Sequence, residues 1–228
     1  MVAPTADGAD GGNVARGRHR IFLGYAPGVG KTHAMLEEAH ARLQAGEDVV
    51  VGSLEPHSRP DTAHLASGLE RVPPLVVSYR GASFDELDVD AAIARRPTWL
   101  VVDELAHATV PGTPHIERWR AVDEVLSAGI SVLSTVNIQH VESLGGFMLQ
   151  VTGMSVSGTV PDDVLDAADD VAFVDISPDE LIERLKRGEV YAQDDVARAL
   201  THFFRRSTLI TLRERAQALL AERAARLG

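Results

Sequence analysis

Apolar and polar positions along this chain repeat in two rhythms. Residues 19–24 (HRIFLG) form a short apolar run closed by glycine, which predicts a buried strand. Residues 31–46 (KTHAMLEEAHARLQAG) then place Met35, Leu36, Ala39 and Leu43 on one helical stripe, with Gly46 as the stop. The alternation continues. Strands are predicted at 48–54 (DVVVGSL), 75–79 (LVVSY), 98–103 (TWLVVD), 130–136 (ISVLSTV) and 171–176 (VAFVDI). Helices are predicted at 61–70, 85–96, 117–129 and from about Gln139 to Gln150. Short apolar strands separated by amphipathic helices indicate an α/β protein with a doubly wound, mainly parallel sheet.

Beyond the last strand only helices are predicted: Pro178 opens one that ends at Gly188, and residues 193–204 and 207–227 form two more. In the last, Leu209, Leu212, Ala216 and Leu219 recur at helical spacing, which suits either a packed surface helix or a connector to another domain. Residues 1–17, rich in Gly, Ala and Asp, show neither rhythm and read as a disordered leader. The expected organisation is leader 1–17, a nucleotide-binding domain at 18–188 and a C-terminal helical extension at 189–228.

Composition narrows the function classes. The 228 residues suffice for one domain with its own core. Cysteine is absent, which excludes a disulfide framework, a thiolate metal site and a cysteine nucleophile. A formal charge of -11 opposes nonspecific nucleic-acid binding. No apolar run approaches the roughly 20 residues of a bilayer span, and the N-terminus has no apolar signal region. The expectation is a soluble, acidic, cytoplasmic protein without direct membrane insertion.

The strongest chemical signal is Gly24-Tyr25-Ala26-Pro27-Gly28-Val29-Gly30-Lys31-Thr32, between a predicted strand and a predicted helix. A phosphate cradle needs this context, because a tight turn aims backbone N–H groups inward and the helix N-terminus adds partial positive charge. Gly28 and Gly30 permit close phosphate approach, Lys31 is positioned for the β- and γ-phosphates, and the Thr32 hydroxyl for magnesium. The strict GxxxxGK[ST] pattern wants glycine at position 25; this chain has Tyr25 there and Gly24 one residue earlier.

A second signal is the strand Trp99-Leu100-Val101-Val102 ending in Asp103-Glu104. In phosphate-loop nucleotidases an aspartate at this place holds the Mg²⁺ shell, and a following glutamate can act as general base. The acid pair and the intervening strands suggest the branch with an additional inserted strand. Thr135, Asn137 and Gln139 follow the fifth strand and read equally as a sensor of the terminal phosphate or as turn and cap residues. Glu55, His57 and Arg59 follow the second strand, and His107 and His115 flank Pro111-Gly112. These histidines, with His64 and His140, match no zinc spacing and read as solvated or capping groups. Arg59, Arg80 and Arg118 are candidates for an arginine finger, with no spacing that fixes any of them at the site.

In order along the chain, FLGYAPGVGKTHAMLEEAHARLQAGEDVVVG, VVDELAH, PGTPHIERW, STVNIQHVESL and TVPDDVLDAADDVAFVDISPDELIERLKRGEVY resemble the N-terminal cytoplasmic domain of the KdpD family of potassium-responsive sensor kinases, over roughly residues 18–216. The resemblance implies a phosphate-loop NTPase fold and an ATP-binding regulatory domain, with ATP and Mg²⁺ as ligands. It also implies a KdpD-type kinase core or its cognate response regulator as partner; a homodimer stays open. Family members carry a universal-stress-like domain, four membrane helices and a histidine-kinase core after this domain. Nothing like them follows here, so either a short stand-alone version or a fragment is expected, without histidine autophosphorylation. The chain departs from the family at Pro114, where arginine often precedes the histidine, and at Glu55-Pro56-His57-Ser58-Arg59, where the family tends to read EThGR.

Three functions follow. A regulatory module would change its surface with ATP occupancy, an ATPase would use Glu104 for hydrolysis, and a small-molecule kinase would need a basic lid that the sequence does not show. The resemblance favours the first and Glu104 the second.

Overall fold

The computed structural model describes residues 14–55, 60–191, 193–201 and 203–227. Strand β1 (His19–Gly24) leads through the glycine loop into helix α1 (Lys31–Gln44), then β2 (Val49–Ser53), α2 (Pro60–Ser67) and the two-residue strand β3 (Glu70–Arg71). A hairpin of β4 (Leu75–Tyr79) and β5 (Ala82–Glu86) precedes α3 (Val89–Arg95), β6 (Trp99–Val102), α4 (Arg118–Ser127) and β7 (Ser131–Asn137). Two single 3-10 turns, Ile138–His140 and Glu142–Leu144, lead into α5 (Gly145–Thr152). Then come α6 (Asp162–Asp166), β8 (Asp170–Val174), α7 (Pro178–Lys186), α8 (Gln193–Thr201) and α9 (Arg206–Leu227).

The main sheet has the order β3-β2-β6-β7-β1-β8, and every pairing in it is parallel. Helices cover both faces of the central strands, as the fully buried apolar run of β6 requires, while β7 carries the buried polar residues Ser134, Thr135 and Asn137 toward its end. The fold is the expected doubly wound α/β architecture. Strand β7 lies between β1 and β6, so the glycine loop and the acid pair stand at the ends of strands that are not neighbours. The gap between those ends is spanned by the end of β7, where Asn137 sits.

Three local expectations change. LVVSY does not join the main sheet but pairs antiparallel with residues 82–86. Arg80 (φ 50°) and Gly81 (φ 82°) form a two-residue turn with both φ positive, the geometry whose twist suits a tight hairpin. Val76 is 61% exposed, consistent with a strand outside the core. The helix expected from residue 85 starts at Val89 instead, where Asp88 caps it by accepting from Ala91 N at 2.8 Å. The helix expected at 139–150 is interrupted at Val141 (ψ 124°), because His140 O and Glu142 N bond to Val160 rather than along a helix. Val141, Leu144 and Met148 are all buried, so their helical spacing survives across the break.

The C-terminal helices pack on this frame. Ser177 caps α7 by accepting from Glu180 N, with Pro178 in the first turn. Leu209, Leu212, Ala216 and Leu219 of α9 are buried, and Arg223 donates to the carbonyls of Leu165 and Ala168. Helix α9 is thus docked along these residues, as the packed reading of its stripe requires. Most of the expected leader lies outside the described residues. Its end, 14–17, runs beside α4, with Gly17 N donating to Leu126 O at 2.8 Å and Arg16 to Asp123 at 2.6 Å.

Candidate functional site

The glycine loop folds as its spacing demands. Gly28 (φ 88°) and Gly30 (φ 106°) take left-handed conformations that side chains resist, and Gly30 caps α1. The displaced Gly24 has its own reason: a Cβ there would lie 2.6 Å from Val29 Cγ2 and 2.8 Å from Lys31 Cδ. Close packing of the loop over the strand end therefore needs glycine at position 24. Tyr25 turns inward, fully buried, and its hydroxyl donates to Ile176 O at 3.1 Å, tying the loop to the segment after β8. Burial pushes its pKa well above the usual phenol value.

The polar residues of three strand ends converge. Lys31 Nζ donates to Asn137 Oδ1 at 2.7 Å. Thr32 Oγ1 stands 3.2 and 3.1 Å from the two carboxylate oxygens of Asp103. Thr135 Oγ1 donates to Asp103 Oδ1 at 2.6 Å and accepts from Glu104 N at 2.9 Å. Asn137 Nδ2 reaches Glu104 Oε2 at 3.5 Å. Thus Lys31, Thr32, Asp103, Glu104, Thr135 and Asn137 form one connected group, and Ala26, Pro27 and Val29 belong to the loop beside it.

Glu104 is held in a left-handed conformation (φ 50°) that a non-glycine residue seldom adopts. Its amide contacts Asp103 and Thr135, Leu105 N bonds Thr135 O, and Arg118 Nη1 bonds Asp103 O at 3.0 Å, so several contacts enforce the turn. Glu104 Oε1 is buried without a hydrogen-bond partner among the described residues. Burial raises the Glu104 pKa, and the positive charge of Lys31 opposes that rise. A carboxylate with one uncommitted oxygen, beside a lysine and a hydroxyl–carboxylate pair, suits proton transfer next to a bound anion. The Thr32 and Asp103 oxygens form a hard donor pair suited to Mg²⁺.

Behind the acid pair lies a second network. Arg118 is 1% exposed and pairs with Glu55 at 2.6 Å and with Glu86, 3% exposed, at 3.5 Å. His107 joins the same two carboxylates at 3.4 and 3.1 Å. Arg118 therefore supports the Asp103 turn from behind and is not placed as a finger. Arg80 lies in the hairpin against the Tyr79 ring. Arg59 and His57 lie outside the described residues. His115 pairs with Glu124 at 2.7 Å, and Gln139 bonds His140 at 3.2 Å rather than any residue of the connected group. Among the described residues no group of three or more His, Asp or Glu is arranged to hold a metal. Arg184, which no sequence spacing singles out, does reach the loop. Its Nη1 lies 3.5 Å from Gly28 O, across a separation no local motif could signal.

No helix among the described residues is long and apolar enough to cross a membrane. Comparison with known proteins accounts for nearly the whole chain. Residues 15–224 match the family described as "KdpD: Osmosensitive K+ channel His kinase sensor domain". "Sensor protein KdpD" of Mycobacterium tuberculosis is 51% identical over 207 residues, covering 91% of this chain and 24% of that protein. Its counterpart in Escherichia coli K12 is 50% identical over 208 residues, covering 91% of this chain and 23% of that protein. "Putative sensor protein KdpD" of Synechocystis is 49% identical over 199 residues, covering 87% and 54%. The chain thus spans about a quarter of the first two relatives and about half of the third. On this match the chain belongs to the KdpD family and corresponds to its sensor domain.

Proposed function

We propose that this domain binds Mg-ATP at the loop 24–32 and acts as an ATP-responsive regulatory module of a KdpD-type two-component system, in contact with the kinase core or its response regulator. The observation that carries the reading is the direct Lys31–Asn137–Glu104 connection beside the Thr32–Asp103 pair. In this reading the loop amides and Lys31 bind the β- and γ-phosphates. Thr32 and Asp103 hold the Mg²⁺ shell, and the ion offsets phosphate charge when bound. Asn137 meets the terminal phosphate and passes its presence to Glu104 and the 104–115 segment. A ligand shifts such an arrangement only by its differential affinity for two states, so ATP and ADP should affect that segment differently.

A second reading, slow ATP hydrolysis, is favoured by one observation: the buried Glu104 Oε1, which has no hydrogen-bond partner among the described residues. There it would accept a proton from an attacking water. A single-turnover assay with γ-labelled ATP separates the two readings. The regulatory reading expects bound ATP to remain largely intact through the binding measurement, and Glu104→Gln to preserve affinity. Rapid release of labelled phosphate by the isolated domain would displace it in favour of an ATPase.

A further inference from the structure

The sheet order gives the candidate site two distinguishable ends. Asn137, Asp103 and Glu104 lie at the ends of β7 and β6, on one side of β1. Strand β8 lies on the other side, and α7 follows it. With the terminal phosphate at Lys31, Asn137 and Glu104, a nucleotide in the loop runs its α-phosphate and ribose toward β8 and α7. Arg184 is carried there. Its Nη1 lies 3.5 Å from Gly28 O, and a Cβ built on Gly30 would meet Arg184 Nη1 at 3.7 Å, with nothing else described within 4 Å. The guanidinium thus lies against the loop, next to its two left-handed glycines.

The contacts that hold Arg184 now are weak ones. The bond to the neutral Gly28 carbonyl is at the long limit, and the ion pair with Glu180, at 3.4 Å, has partners 32% and 47% exposed. Anchoring α7 to the loop does not depend on the arginine. A Cβ on Gly28 would lie 2.6 Å from Val190 Cγ2 and 3.1 Å from Leu181 Cδ1, so apolar side chains already press on the loop. A guanidinium has five donors in a rigid fork, and its bonds to phosphate are charge-assisted and short. It can donate to a phosphate oxygen without giving up the Gly28 carbonyl.

We infer that Arg184 grips the α-phosphate–ribose end of a nucleotide bound in the loop, bridging that ligand to the Gly28 carbonyl and so to α7. This inference rests on the nucleotide reading above. It makes α7, through Arg184, a second element that registers occupancy, and one that answers to ATP and ADP alike because both carry the α-phosphate.

The test is calorimetric titration of the whole chain with Mg-ATP, Mg-ADP and inorganic pyrophosphate, using wild type, Arg184→Ala, Arg184→Lys and Lys31→Ala. The expected result is that Arg184→Ala weakens ATP and ADP by the same factor, about tenfold for one lost charged hydrogen bond. Pyrophosphate, which fills only the β- and γ-phosphate positions at Lys31, should bind as before. Arg184→Lys keeps the charge but loses the fork, and should fall between wild type and alanine for both nucleotides. A melting curve for each variant guards against misfolding, and if Arg184→Ala does not fold the lysine variant carries the test. Unchanged ATP and ADP affinity alongside a loss in Lys31→Ala would overturn the role of Arg184 and leave the nucleotide reading intact. A loss for ATP alone, or an equal loss for pyrophosphate, would place the arginine at the wrong end and overturn it too. Wild-type affinity in Lys31→Ala would remove the nucleotide reading and this inference with it.

Discussion

The Lys31 ammonium donates to Asn137 Oδ1 at 2.7 Å, joining the first residue of α1 to the last residue of β7. Asn137 in turn reaches Glu104 at 3.5 Å. The lysine that the proposal assigns to the terminal phosphates is therefore already linked to the candidate base.

Asn137→Ala should discriminate between nucleotides. The amide is proposed to meet only the terminal phosphate, so ATP affinity should fall about three- to tenfold, the scale of one hydrogen bond, with ADP affinity unchanged. Competition binding with a fluorescent ADP analogue would measure both. An equal loss for ADP would mean that Asn137 merely holds Lys31 in place.

Asp103→Asn should weaken ATP binding when Mg²⁺ is present and have much less effect with the ion chelated. The favourable partner of this carboxylate is the cation, whereas the triphosphate repels it. Titrations with and without chelator would show the difference; the same loss in both would exclude a role through the metal.

Arg118→Ala should cost about 3 kcal/mol of stability, because it leaves the Glu86 carboxylate buried with only the His107 ring and the Val110 amide as partners. Adding Glu86→Gln should recover part of the loss, since the stranded charge is then gone. Urea unfolding of both variants would report this. A loss under about 1 kcal/mol would show the pair to behave like an exposed one.

His19 gives a pH dependence with a defined sign. Burial lowers its pKa from 6.5 to about 4, and its Nε2 lies 2.8 Å from Ser134 Oγ. The unfolded chain takes up this proton more readily than the folded one. The contribution is therefore fully present above pH 6.5 and is lost as the pH falls toward 4, by about 3 kcal/mol at most. His19→Gln should flatten the stability curve in that window. A variant curve as steep as wild type there would assign the acid sensitivity to other groups.

The parts of this site that could be read from sequence are contiguous or follow a strand end. Gly28, Gly30, Lys31 and Thr32 sit within five residues, and Asp103-Glu104 closes an apolar strand, so local pattern sufficed. The meaning of Gly24 was not legible, because its crowding by Val29 and Lys31 exists only once the loop is folded. Arg118 reads as a candidate finger from sequence, which shows a charge but not its burial between Glu55 and Glu86. The run 75–79 reads as a strand, but five apolar-rich residues do not say which strand they pair with; the Arg80-Gly81 turn is the local signal for a hairpin. Arg184 reaches Gly28 across 156 residues, beyond any spacing rule.

Calorimetric titration of Mg-ATP into the wild-type protein and into Lys31→Ala tests the central claim most directly. The ammonium is proposed to make the main electrostatic contact with the β- and γ-phosphates, and a hydrogen bond to a charged group is worth about 1.5–3 kcal/mol. The account predicts saturable one-to-one binding to wild type and an affinity lower by roughly ten- to a hundredfold in the variant. Equal affinities in the two proteins, or no binding to wild type, would contradict it.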